Sequence, residues 1–363
     1  MKTFRVVDFV SLRAASTLVF AFIAAVVCVE LHTPLPWMIG PLLTTATLSI
    51  LGVRTASWNP LRNTAQWVIG TALGLYFTPQ VSALVVGLWW VIILSIIWSL
   101  ALGYYYGQWL YWYNAPRFSG LDRVTTYFAS LIGGASEMTL LAEREMARTD
   151  LVASAHSLRV LLVTVTVPSA IQLSGWHGVD PALNQAHPFH LNGFVTLMLC
   201  TGGGAWVMKL FGRSNAWFIG SLLVSIALTV NECELSSIPS WVTNAAQLAI
   251  GVSLGVRFTP QFIHTAPRWL ASVTIGTFVM ILASALLSLG LSQLIDLHVA
   301  TMILSNAPGG IAEMAITAKV LQLGVAVVTA LQACRIIAVL FLAEPLFRWL
   351  KSKDTRSNFW ASN

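Results

Sequence analysis

Residues 66–80 read QWVIGTALGLYFTPQ, and residues 247–261 read QLAIGVSLGVRFTPQ. Each stretch has a glutamine, then two glycines four residues apart, then Thr-Pro-Gln, and the two copies are 181 residues apart. Self-similarity at a fixed distance indicates an internal repeat. Two small residues at this spacing allow helices to cross closely, and a following proline ends a helix. We therefore predict two related helices, one in each half of the chain.

Further matches between the halves occur in the same order along the chain. They are Trp37–Leu43 with Trp217–Leu223, Gly133–Met138 with Gly309–Met314, and Arg159 with Arg335. Four ordered matches predict a duplication into halves of about 180 residues.

The duplication also predicts the domain organisation. We expect a first membrane repeat at residues 1–176, an external linker at 177–190, a second membrane repeat at 191–350 and a cytoplasmic tail at 351–363. The two repeats together then account for nearly the whole chain.

Composition indicates a membrane protein. Of the 363 residues, 56% are hydrophobic and 9% are charged, whereas a soluble domain has about 25% charged residues. The apolar runs approach the roughly 20 residues of a membrane span, and only helices satisfy the backbone there. The net charge of +6 is not gathered into a basic stripe. We predict an all-α integral membrane protein and exclude a soluble enzyme or a DNA-binding protein.

The positions of lysine and arginine predict how the halves are oriented. If the segments around Gly133 and Gly309 re-enter the membrane, only Lys319, Arg159 and Arg335 lie away from the cytoplasmic side. Each half then has about five spans plus a broken or re-entrant helix. An odd number gives an inverted repeat with both termini in the cytoplasm, as in many secondary transporters.

Two apolar runs, 81–113 and 269–295, are longer than a span requires. A helix of that length fits a bilayer by tilting or by projecting into the interface. We predict one long tilted helix over each run.

The glycine pairs are the best candidates for functional backbone. Glycine disfavours helix by about 1 kcal/mol, and Pro308 removes a further donor in the second copy. We predict helix breaks there, with a helix N-terminus after each pair that could face an anion. The alternative is that the glycines only allow close helix packing.

A glutamate follows each glycine pair, and an arginine lies 22 residues beyond each glutamate. Three interpretations stay open for Glu137, Glu313, Arg159 and Arg335. The glutamates could carry protons or bind a cation while the arginines hold an anion. The arginines could instead only tune the glutamates, or the four could form buried ion pairs that fix the fold.

His156 stands where the second repeat has Gln332, and it could be either a satisfied core residue or a proton carrier. We expect no catalytic residue, metal site or cofactor. The candidate substrate-binding or ion-binding residues are Gly133, Gly134, Ser136, Glu137, His156, Arg159, Ser305, Asn306, Pro308, Gly309, Gly310, Glu313, Gln332 and Arg335.

These motifs together resemble the AbrB-type duplicated membrane protein family over about residues 14–349. The turn at Ser305–Gly310 follows the family pattern, whereas the turn at Ser130–Gly134 lacks its proline. The resemblance implies inverted five-span repeats and a distant relation to bile-acid and cation–proton transporter groups. Family members are also labelled ammonia monooxygenase or regulator. The seven histidines show no intramembrane cluster for the first, and no polar segment is long enough for a DNA-binding module.

We therefore expect a secondary active transporter for a small anionic organic solute, working by alternating access with H+ or Na+ coupling. The alternatives are a membrane-embedded sensor or regulatory protein without transport, and a membrane enzyme. We expect the bacterial inner membrane as the location and the lipid bilayer, the solute, a coupling cation and a homo-oligomeric copy as partners, and no nucleic acid.

Overall fold

A computed structural model describes residues 2–118, 120–176, 178, 189–212, 215–233, 235–261 and 267–354. These residues form fifteen α-helices and one short 3-10 turn, without a β-strand. Most of the predicted linker, at 177 and 179–188, and residues 355–363 of the predicted tail lie outside the described residues. The helices are α1 Lys2–Glu30, α2 Pro36–Ile50, α3 Asn59–Gly74, α4 Pro79–Gly87, α5 Trp89–Asn114, α6 Arg123–Ser130, α7 Ala135–Arg144, α8 Thr149–Leu173, α9 Leu191–Leu210, α10 Ala216–Val230, α11 Ser240–Gly255, α12 Pro267–Ser292, α13 Val299–Asn306, α14 Ile311–Val320 and α15 Val325–Asp354.

Six described helices are long and apolar enough to cross a membrane. They also expose large apolar side chains, as Phe20 and Ile23 of α1 and Val279 and Leu282 of α12 illustrate. Apolar surface of this extent is typical of contact with lipid. The predicted all-α membrane class is therefore confirmed. The six segments are Arg13–Glu30, Trp89–Asn114, Thr149–Leu173, Leu191–Leu210, Pro267–Ser292 and Val325–Ser352.

Other apolar helices are shorter than a full span. α2 and α10 have 15 residues each, and α3 and α11 have 16. At 1.5 Å per residue such helices are about 22–24 Å long, against about 30 Å for a hydrocarbon core. α3 and α4 together qualify as a span, but they are bent by 89°. The predicted number of full spans in each half therefore stays a prediction.

The prediction of one long helix over 81–113 is wrong. α4 ends at Gly87, and α5 begins at Trp89. Glycine has a low helix propensity because it loses the most backbone entropy, and it interrupts the apolar run here. In the second half α12 covers Pro267–Ser292 as one helix, as predicted.

Helix lengths repeat between the two halves of the chain. α2 and α10 match at 15 residues, α3 and α11 at 16, α5 and α12 at 26, α6 and α13 at 8, and α7 and α14 at 10. This agreement supports the duplication read from the sequence. The opposite orientation of the repeats stays a prediction.

The chain forms two compact units that do not coincide with the two repeats, since each unit draws on both halves. Unit 1 comprises Met1–Gly87, Val165–His264 and Ala312–Thr329, and unit 2 comprises Leu88–Thr164, Thr265–Ile311 and Ala330–Asn363.

In unit 1, helices of one repeat pack against helices of the other. α3 packs on α10, and α11 packs on α2. A Cβ atom at Gly70 of α3 would lie 2.3 Å from Ser221 Oγ, and one at Gly251 of α11 would lie 2.6 Å from the Met38 carbonyl oxygen. The two Gly-x-x-x-Gly helices therefore cross a neighbour closely, as the sequence predicts.

Unit 2 contains an aromatic core around α6 and α15. Tyr127, Phe128 and Phe347 have ring centroids 5.2–5.4 Å apart, and the Tyr127 hydroxyl donates to the Ala343 carbonyl at 2.9 Å. These contacts anchor α6 and hold the segment that follows it.

Candidate functional site

Both glycine-pair segments interrupt a helix. α6 ends at Ser130 and α7 begins at Ala135, while α13 ends at Asn306 and α14 begins at Ile311. We call residues 131–134 break 1 and residues 307–310 break 2. The predicted helix breaks are therefore present in both repeats.

The two breaks start with the same backbone conformation. Leu131 has φ −58° and ψ 141°, and Ala307 has φ −55° and ψ 138°. A residue before proline favours this extended region, which explains Ala307 in front of Pro308. Break 1 reaches the same conformation with Ile132 in place of the proline. Proline is thus one way, but not the required way, to start the break.

The glycines of break 1 leave room for the flexible side chains that follow them, and Gly134 has no unusual dihedral angle. Gly134 has φ −68°, an ordinary value for any residue. A Cβ atom at Gly133 would lie 2.8 Å from Met138 Cε, and one at Gly134 would lie 2.0 Å from Glu137 Oε2. The side chains of Glu137 and Met138 therefore lie over the break.

α5 also approaches break 1 closely. A Cβ atom at Gly103 would lie 3.2 Å from Leu131 Cα, and one at Gly107 would lie 2.7 Å from Ser130 Oγ. Sequence reasoning missed these two glycines, although their four-residue spacing is the same signal that identified α3 and α11.

Each intramembrane arginine binds the carbonyl groups at the start of a break. Arg159 of α8 donates from Nη1 to the Ser130 carbonyl at 3.1 Å and from Nη2 to the Leu131 carbonyl at 2.8 Å. The side chain is buried, with 2% exposed. The last carbonyls of a helix lack partners within it and carry the negative end of its dipole. Arg159 therefore caps the C-terminus of α6.

Arg335 of α15 caps α13 in the same way. Its Nη1 donates to the carbonyls of Asn306 at 3.3 Å and Ala307 at 2.8 Å, and its Nη2 donates to the Gly309 carbonyl at 3.1 Å. The side chain is 1% exposed. The same arginine position in each repeat thus stabilises the same helix end.

A second side chain accompanies each arginine three residues earlier. Arg159 Nη2 lies 2.6 Å from His156 Nδ1, and His156 Nε2 lies 2.9 Å from the Phe128 carbonyl oxygen. In the second repeat Arg335 Nη2 donates to Gln332 Oε1 at 2.5 Å. Gln332 Nε2 donates to the Leu304 and Ala307 carbonyls at 2.6 and 3.1 Å. Both companions therefore tie the guanidinium to the helix before the break.

The glutamates lie at the opposite helix ends. Glu137 is in the first turn of α7, and Glu313 is in the first turn of α14. Both side chains are buried, with 6% and 7% exposed. A carboxylate at a helix N-terminus is stabilised by the positive end of the dipole. Each break creates a helix C-terminus, which is the negative end of the dipole, and a helix N-terminus, which is the positive end. The arginine lies at the first and the glutamate at the second.

The arginines do not form the ion pairs considered from the sequence. In the described part of the chain, the hydrogen bonds of Arg159 and Arg335 go to carbonyl groups and to His156 or Gln332. The Nε atom of each arginine is buried without a hydrogen-bond partner. Each guanidinium thus keeps one N–H group that no protein acceptor uses.

Both arginines belong to unit 2, and both are buried, with 2% and 1% exposed. In the described part of the chain neither has a carboxylate among its hydrogen-bond partners. Two buried cationic groups without a carboxylate partner make this unit electropositive.

The remaining candidates have structural contacts or lie outside the description. Ser305 Oγ donates to the Thr301 carbonyl at 2.7 Å, and Asn306 Nδ2 donates to Ser288 Oγ and to the Met302 carbonyl, both at 3.1 Å. The side chain of Ser136 is outside the described residues. Asn306 therefore ties α13 to α12 through Ser288, a partner that the sequence did not identify.

Comparison with known proteins agrees with the repeated motifs. A family described as transition state regulatory protein AbrB matches residues 37–351. A protein of Bacillus subtilis (strain 168) named YhjN is 24% identical over 360 residues, covering 90% of this chain and 91% of its own. A protein of Escherichia coli (strain K12) named "Putative regulator AbrB" is 24% identical over 338 residues, covering 92% of this chain and 95% of its own. Because the family match extends over most of its length, this chain belongs to the AbrB family.

Proposed function

We propose that this protein is a secondary active transporter for a small organic anion. The observation that carries the proposal is the pair of buried helix breaks, each with an arginine that keeps an unused Nε–H group. Helices interrupted at membrane depth form the binding sites of many secondary transporters.

The non-helical backbone at the two breaks supports the proposal of a binding site there. Non-helical backbone within a membrane is tolerated only where protein buries it or where it lines a wet cavity. The arginines satisfy the carbonyls at the start of each break, which lets the breaks persist in the present conformation. A solute could be held there by polar groups that a continuous helix does not offer.

The charge of the region favours an anion. Arg159 and Arg335 are two buried cationic side chains of unit 2, so a bound anion would lower the free energy cost of burying their charge. The unpaired Nε–H groups are donors for carboxylate or phosphate oxygens. In our proposal the anion binds to these two groups.

In the same proposal the repeats have opposite orientations and exchange access to the two sides of the bacterial inner membrane. Coupling to H+ or Na+ would use Glu137 or Glu313, which are buried carboxylates.

Electrical recording from reconstituted protein tests the proposal. Proteoliposomes on a solid-supported membrane receive rapid jumps of acetate, pyruvate, succinate, citrate and phosphate, with choline and glucose as controls. We expect a transport current for at least one anion and its loss in R159K and R335K, which keep the charge but not the fork of donors. R348K is the matched control, because the Arg348 side chain is 67% exposed. A current equally large in R159K and R335K would contradict the assigned role of the arginines. The absence of both a current and uptake of the radiolabelled anion, for every anion, would contradict the substrate class.

A second candidate is a regulatory membrane protein that binds a solute without transporting it. The name of the Escherichia coli relative favours this alternative. It predicts that an anion raises the apparent melting temperature of the purified protein, as any ligand of the folded state does, while proteoliposomes show no flux of that anion.

A further inference from the structure

We infer that His156 is a positioning residue for Arg159: a neutral imidazole, protonated on Nε2, that takes in the first repeat the part played by the amide of Gln332 in the second. The inference goes beyond the proposed function, and it holds whether or not the protein transports a solute.

The hydrogen-bond partners of His156 fix its tautomer. The Phe128 carbonyl, 2.9 Å from Nε2, can only accept a hydrogen bond. The Arg159 guanidinium, 2.6 Å from Nδ1, can only donate one. The proton of the neutral ring must therefore be on Nε2, and the lone pair of Nδ1 must face Arg159.

Gln332 makes the corresponding bonds with an amide. Its Oε1 accepts from Arg335, and its Nε2 donates to the Leu304 carbonyl at 2.6 Å. Phe128 and Leu304 are 176 residues apart, as are His156 and Gln332. The imidazole and the amide thus present one acceptor and one donor to equivalent partners, so a histidine in one repeat and a glutamine in the other are chemically interchangeable here.

This arrangement opposes a second proton on the ring. The proton would have to enter at Nδ1, where it would face an N–H group of the positively charged Arg159. The ring is fully buried, with 0% exposed, so water cannot solvate a second charge. The other ring nitrogen meets a carbonyl of α6 rather than a carboxylate. His156 therefore stays neutral through the pH range in which an ordinary histidine titrates, and it is not the proton carrier.

Nitrogen-15 NMR of the full-length protein tests the tautomer directly. The protein is labelled only at histidine and placed in lipid nanodiscs, and the signals of His156 are identified by their loss in H156Q. We expect the pattern of a neutral ring with a proton on Nε2, unchanged between about pH 8 and 5. The signals of the exposed His32 serve as the internal reference. A proton on Nδ1, or conversion to the charged ring within this range, would overturn the inference.

A rescue series tests the positioning role. H156Q is expected to keep the melting temperature within about 2 °C of the wild type, while H156A lowers it by about 2–4 °C or more. The alanine variant leaves the Phe128 carbonyl without its donor and Arg159 without one acceptor. Equal losses in H156Q and H156A would show that the amide does not replace the ring. If H156A does not fold, the comparison of H156Q with the wild type still decides the question.

Discussion

Breaks 1 and 2 have the same backbone geometry but different residues. Break 2 has Pro308 where break 1 has Ile132, and its arginine is accompanied by Gln332 where the other is accompanied by His156. The carbonyl groups are nevertheless bound in the same way by Arg159 and Arg335.

The comparison of break 1 with break 2 shows which features are common to both. A guanidinium at the end of the first helix and a carboxylate at the start of the second recur in both repeats. Each neutralises one helix end exposed by the break. The proline and the residue that accompanies the arginine differ between the repeats, so neither is required for the break to form.

Removing an arginine cap should have the largest effect. R335M removes the hydrogen bonds from Arg335 to the carbonyl groups of Asn306, Ala307 and Gly309, and we expect a loss of about 1–3 kcal/mol in stability for each buried carbonyl left without a donor. R159M removes two carbonyl contacts and should cost less. Thermal or chaotrope-induced unfolding in a fixed detergent measures both.

The matched control is R348M, because the Arg348 side chain is 67% exposed and should change stability by less than about 0.5 kcal/mol. Equal effects of R335M and R348M would show that the cap does not stabilise the break.

Filling a close helix crossing should have an intermediate effect. G70A would place a Cβ atom 2.5 Å from the Phe218 carbonyl oxygen, and we expect a cost of about 1–3 kcal/mol from overpacking. G251A should behave alike in the second repeat, because its Cβ would lie 2.6 Å from the Met38 carbonyl oxygen. The unfolding midpoint of each variant is the measurement.

G203A provides the control in α9, where a Cβ atom meets nothing within 4 Å. It should be neutral or stabilise by up to about 1 kcal/mol through helix propensity. Similar destabilisation in G70A and G203A would contradict the close crossing.

Exchanging the residues that differ between the breaks should have the smallest effect. Leu131 already has the conformation that a following proline favours. I132P keeps this conformation of Leu131 but loses the packing of the buried Ile132 side chain, so we expect a loss of no more than about 1.5 kcal/mol. P308I should cost about 0.4–1 kcal/mol, because it frees the unfolded chain. Unfolding midpoints of the two variants test this, and a large loss in I132P would show that the breaks are less alike than their dihedral angles suggest.

Several features followed from the sequence because they have local signals. The Gly-x-x-x-Gly spacing predicted the close crossings of α3 and α11. These helices end at Gly74 and Gly255, four residues before the Thr-Pro-Gln that was expected to end them. The glycine pairs predicted both breaks, including break 1, which has no proline. In each case the residues that identify the feature in the sequence are the same residues that form it in the structure.

Other features depend on contacts between distant residues. The sequence offered ion pairs among Glu137, Glu313, Arg159 and Arg335 as one of three interpretations. It did not reveal the carbonyl groups that Arg159 binds, because main-chain acceptors leave no mark in a sequence. The packing of α3 on α10 and of α11 on α2, each between helices of different repeats, could likewise not be predicted from the sequence. The separation of α4 from α5 was missed because Gly87 interrupts the apolar run without a proline or a charge.

In the proposed transport cycle, both breaks line a path that water and a solute enter. Accessibility of single cysteines tests it most directly. Cys28, Cys200, Cys233 and Cys334 are replaced by serine, and one cysteine is placed at Ile132 or at Pro308. Inside-out and right-side-out membrane vesicles are then treated with a membrane-impermeant thiol reagent.

We predict that both cysteines react, each from at least one side of the membrane. Full protection of both positions from both sides, with complete reaction only after denaturation, would contradict the claim.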